Sequence, residues 1–74
     1  MILKSQDGED IYNLRLCYRV YCDKERIYAQ FEVGQRFNDY FLGSYENSKR
    51  AAKILDEIFN SMTNGEKFFV MPEM

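Results

Sequence analysis

The chain has 74 residues, with 10 Lys plus Arg against 12 Asp plus Glu for a net charge of −2, and it contains no His and no Trp. One domain (1–74) around one small core fits this length; such a chain buries only roughly 60% of its unfolded surface, so a stabilising partner is expected. A sequence pI of about 5.0 argues against a protein that tracks nucleic-acid backbones, since counterion release needs clustered basic charge. No apolar run approaches the ~20 residues of a membrane helix, and the N-terminus turns polar after three residues, unlike a secretory signal. The expected location is the cytoplasm.

Residues 2–5 predict a short strand, ended by the turn formers Gln6-Asp7-Gly8, with a weak strand over 10–13. The clearest signal follows. In 15–22, Leu16, Tyr18, Val20 and Cys22 alternate with Arg15, Cys17, Arg19 and Tyr21; in 27–33, Ile27, Ala29, Phe31 and Val33 alternate with Tyr28, Gln30 and Glu32. Period two predicts a hairpin. With Lys24-Glu25 as turn centre, Cys22 faces Ile27, Val20 faces Ala29, Tyr18 faces Phe31 and Leu16 faces Val33, although Lys-Glu suits a two-residue turn poorly. Cys17 and Cys22 then lie on opposite faces roughly 16 Å apart, too far to bridge. Without His they make no zinc site, and they read as reduced, passive thiols.

A polar loop is expected over 34–39 and a strand over 40–45. Asn47 or Ser48 caps a helix to about Met62, in which Ala51, Ile54, Leu55, Ile58, Phe59 and Met62 recur at helical spacing. Asn64-Gly65 stops it, and a final strand over 67–71 ends at Pro72, which has no amide donor. The predicted fold class is α+β: a small antiparallel sheet with one helix packed on one face.

One helix covers one face of such a sheet, and the other face normally carries polar side chains. Here it would present Arg15, Cys17, Arg19, Tyr21, Tyr28, Gln30, Phe41 and Tyr45, half of them aromatic. Rings and guanidinium groups are the types enriched at interfaces. Two coverings fit, and they do not exclude each other: another copy of the chain, in at least a dimer, or a planar anionic molecule that stacks on rings while arginines fork onto phosphate.

Catalytic apparatus is sparse. Without His the usual acid/base and triad chemistries lose their base, no phosphate loop occurs, and Asp7, Glu9 and Asp10 lack calcium-loop spacing. The expectation is no enzyme, no catalytic residue, no metal and no cofactor.

Three segments resemble a group of small proteins from phages and prophages of Gram-positive bacteria. They are Leu3-Lys4-Ser5-Gln6-Asp7, Leu42-Gly43-Ser44-Tyr45 leading to Ala51, Ala52, Leu55, Asp56 and Ile58, and Phe69-Val70-Met71-Pro72-Glu73. That group is similar to viral sponge proteins, which sequester the nucleotide signals of Thoeris- or CBASS-type immunity as catalytically inert homo-oligomers. The resemblance implies a phage protein that, in host cytoplasm, binds a cyclic or ADP-ribose-derived nucleotide without cleaving it. It supplies no ligand residues; those come from the outer face. Arg15 and Arg19 are the expected phosphate donors, Tyr21, Tyr28, Phe41 and Tyr45 the stacking rings, and Arg36 a closing loop residue. The chain departs from the group in its Tyr-rich hairpin. The alternatives are a protein-binding inhibitor of a host protein and a small nucleotide-cleaving enzyme.

Overall fold

The computed structural model describes residues 1–74. In chain order the elements are β1 (Ile2–Lys4), β2 (Ile11–Asn13), a single 3-10 turn (Leu14–Leu16), β3 (Cys17–Asp23), β4 (Arg26–Val33), β5 (Arg36–Ser44), α1 (Ser48–Thr63) and β6 (Phe68–Val70). The fold is small α+β, as the patterning predicts. The strands, however, form two sheets: an antiparallel meander β3-β4-β5, and a second sheet β2-β1-β6 in which β6 runs parallel to β1. A parallel pair needs a crossover, and nearly the whole chain lies between these two strands.

The hairpin turn falls on Lys24-Glu25, with Cys22 opposite Ile27 and Val20 opposite Ala29. Lys24 takes φ 57, a left-handed conformation that a lysine adopts at some cost. Beyond Arg19 the predicted register fails. A bulge leaves Tyr18 unpaired, Cys17 rather than Tyr18 meets Phe31, and Leu16 lies in the 3-10 turn, 72% exposed. An inserted residue reverses the facing of everything before it. Cys17 therefore joins Cys22 on the core side of the sheet, not the opposite face, and both thiols are free.

The loop expected over 34–39 is two residues long. Gly34-Gln35 turns the chain at φ +66 for Gly34, and β5 runs unbroken from Arg36, which pairs with Val33. Asn38 and Asp39 favour turns locally, but here they pair with Phe31 and Gln30, because β4 offers backbone partners along its full length. A second bulge, at Leu42, shifts the β4-β5 register between Ile27 and Tyr28.

Helix α1 begins where its cap predicts: the Asn47 side chain accepts from the Arg50 amide at 2.8 Å. Asn64 and Gly65, the latter at φ +76, end it. Its Ala51, Ile54 and Ile58 pack with Ile27, Ala29 and Leu42 of the meander and with Leu3, Leu14 and Met71. Tyr45, expected on the outer face, belongs to this core at 2% exposure.

A polar knot ties the two sheets. The Gln6 side-chain amide donates to the Ser44 and Pro72 carbonyls and accepts from the Ser44 N–H, while the Tyr45 phenol donates to Pro72 at 2.9 Å. Burial pushes that phenol up to about 12. Gly43 lies tight against the knot; a Cβ there would meet Gln6 and the Tyr45 phenol at 3.1–3.3 Å.

Candidate functional site

The side chains of β3, β4 and β5 that point away from α1 form the outer face, and antiparallel pairing arranges them in rows across the strands. One row sets Tyr21 opposite Tyr28 and Tyr28 opposite Phe41. Tyr21 and Tyr28 stack with ring centroids 5.6 Å apart, and the Phe41 ring meets Tyr28 edge-on at 5.8 Å. The next row is polar: Arg19 Nε donates to Gln30 Oε1 at 3.4 Å, and Gln30 Nε2 donates to Asp39 Oδ1 at 2.9 Å. Arg19 also lies over the Tyr21 ring, 4.1 Å from its centroid.

Electrostatics reinforce the row. Partial desolvation and the Asp39 carboxylate raise the Tyr21 phenol. On the far side, the neighbouring Tyr28 phenol, two residues along β4 and so on the same face, raises Arg26. Two cations thus flank three rings. Beyond the polar row a further pair, Tyr18 and Phe37, packs at 4.7 Å, with the two residues 67% and 51% exposed.

Of the seven residues predicted from sequence, the structure brings four together: Arg19, Tyr21, Tyr28 and Phe41. Arg15 sits in the 3-10 turn, outside the sheet, because the hairpin pairing ends at Cys17. Arg36 pairs with Val33, which places it on the core-side register at the sheet tip rather than on a loop over the outer face. Tyr45 is buried in the knot. Sequence reasoning misses Tyr18, which strict alternation places on the core side because it does not register the bulge, and Phe37 and Asp39, which fall in the expected loop. Period two does continue through Phe37, Asp39 and Phe41 and was the available signal.

The outer face is open. Neither of the two concavities of the molecule lies over the Tyr21-Tyr28-Phe41 row. One, of about 480 Å³, runs between β3 and the C-terminal half of α1, lined by Val20, Leu55, Phe59 and Met62 among others, and reaches Tyr18 and Arg19 at the β3 edge. The other, of about 350 Å³, lies among Ile11, Tyr12, Leu16, Phe31, Val33 and Tyr40. No group of three or more His, Cys, Asp or Glu is placed to hold a metal ion, and no helix is long and apolar enough to cross a membrane.

Compared with protein-family models, with curated proteins and with solved structures, the chain matches none of them.

Proposed function

We propose that this chain is a small phage-type binding protein that sequesters a cyclic or ADP-ribose-derived nucleotide signal on the outer face of the meander, without cleaving it. The observation that carries the reading is the contiguous row Tyr21-Tyr28-Phe41 with Arg19 and Arg26 at its two sides. A base stacks on an uncovered ring for about 1–3 kcal/mol, and a guanidinium forks onto phosphate oxygens. Arg19 is the phosphate donor in this reading. The Gln30-Asp39 pair holds the Arg19 head in place and offers a carboxylate to a donor on the base.

Calorimetric titration with cyclic dinucleotides and cyclic ADP-ribose isomers tests it. Binding tighter than ~10 μM, on the order of −7 kcal/mol, is expected for at least one of them, and none tighter overturns the reading. The bound signal should be recovered intact after heating; its cleavage would make the protein an enzyme instead.

A second reading is an inhibitor module that masks a host protein. It is favoured by the openness of the face, since small ligands usually occupy concave sites and flat aromatic surfaces suit macromolecular partners. Recovery of one stoichiometric protein from host lysate, lost on Tyr28→Ala, would select it over the nucleotide.

A further inference from the structure

We propose that a second copy of this chain docks along β3, edge to edge and antiparallel, joining the two meanders into one six-stranded sheet with the two α1 helices meeting beneath it.

The edge is available. Asp23 and Arg26 close the two-residue turn, so in the alternating antiparallel pattern Asp23, Tyr21 and Arg19 direct their backbone groups to β4, while Val20 and Cys22 direct theirs away. No backbone hydrogen bond outside the strand ladders involves Val20 or Cys22. An unpaired edge of this kind is a template for another strand unless something blunts it. The bulge at Tyr18 confines the pairable stretch to residues 19–23, where no proline intervenes.

A second copy of the same edge completes the pairing. With Tyr21 opposite the partner's Tyr21, residues 19–23 of the two edges lie opposite one another, and Val20 and Cys22 exchange places across a two-fold axis so that both sets of outward backbone groups are paired. The side chains of Val20 and Cys22 point toward α1, so the axis passes beside the apolar groove along β3. Phe59 and Met62, 64% and 46% exposed, line that groove and would pack against their symmetry mates. Its two charged residues are one cation, Arg19, and one anion, Asp56, so the groove carries no net charge that would repel a second copy. Area agrees with this. The chain exposes 5345 Å², against roughly 4,800 Å² expected for a compact monomer of its mass. The excess is over half of the about 800 Å² that each partner buries in a standard interface.

The same register sets Arg19 opposite the partner's Asp23 on the outer face and fuses the two outer faces into one surface. The dimer itself does not depend on what that surface binds.

Sedimentation equilibrium at ~100 μM, well above the dissociation constant of a standard-sized interface, should give twice the 8.9 kDa monomer mass. Phe59→Lys, on an exposed helix position near the cation-favouring end, should keep the circular dichroism of the native chain and shift dimer dissociation at least tenfold. Hydrogen exchange provides a readout independent of any variant: the Val20 and Cys22 amides should be protected in the dimer and exchange faster on dilution. A monomer at that concentration overturns the proposal. So does a dimer that ignores Phe59→Lys and leaves both amides unprotected, or one lost instead on Tyr28→Ala, which would move the contact to the outer face.

Discussion

The meander carries an aromatic cluster on each face. On the core side Tyr12, Phe31 and Tyr40 meet at centroid distances of 6.0, 5.8 and 5.6 Å; on the outer side Tyr21, Tyr28 and Phe41 meet at 5.6 and 5.8 Å. Ring spacing is the same, and the surroundings are not. The inner rings draw Tyr12 from the second sheet onto Phe31 and Tyr40, so two of the three ring contacts there link two layers. The outer rings touch only neighbours of their own sheet, and cations stand beside them. Aromatic geometry alone therefore does not distinguish a core from a binding surface; what lies over the rings does.

Substitutions that separate the two faces test this difference. The largest loss is expected beneath the inner face: Ile54→Ala, at a fully buried helix position, should cost about 3 kcal/mol in urea unfolding, and a cost under about 1 would mean that α1 does not seal that face. Phe31→Ala should cost about 2 kcal/mol, less than a fully buried ring because Phe31 is half-buried.

Tyr45→Phe tests the knot between the sheets. It removes one phenol bond to Pro72, whose carbonyl still accepts from Gln6, for about 1 kcal/mol at neutral pH. The same variant changes the alkaline limb. A folded phenol at about 12, above the unfolded value near 10, gives stability that is complete below pH ~10 and falls as pH rises toward 12. Tyr45→Phe should lose that part of the decline, and an unchanged alkaline profile would place the titration on another tyrosine.

The smallest effect on folding belongs to the outer face. Tyr28→Ala and Arg19→Ala should each change stability by under about 1 kcal/mol while weakening nucleotide binding at least tenfold, at roughly 1.4 kcal/mol per decade. If Tyr28→Ala unfolds the protein as readily as Phe31→Ala, the outer rings are core and the contrast between the faces is lost.

The knot sharpens the same contrast. Gln6, Gly43, Ser44, Tyr45 and Pro72, drawn from three distant segments of the chain, converge on it and join the sheets. Those segments close the fold, and the outer-face residues proposed to bind ligand lie outside them.

Local pattern was enough for a good part of this molecule. Period two in residues 19–22 and 27–31, the Asn47 cap, the helical spacing from Ala51 to Ile58 and the stop at Gly65 each depend on neighbours a few residues apart, and each holds. From these, with the strand expected over 40–45, the fold class and the gathering of Arg19, Tyr21, Tyr28 and Phe41 on one face were legible. Only the tertiary structure decided the bulges at Tyr18 and Leu42, the extension of β5 through Asn38-Asp39, the parallel pairing of β6 with β1 and the burial of Tyr45. These depend on which distant backbone satisfies each N–H and C=O. A single inserted residue then reverses which side chains face solvent, and no local count along the chain registers it.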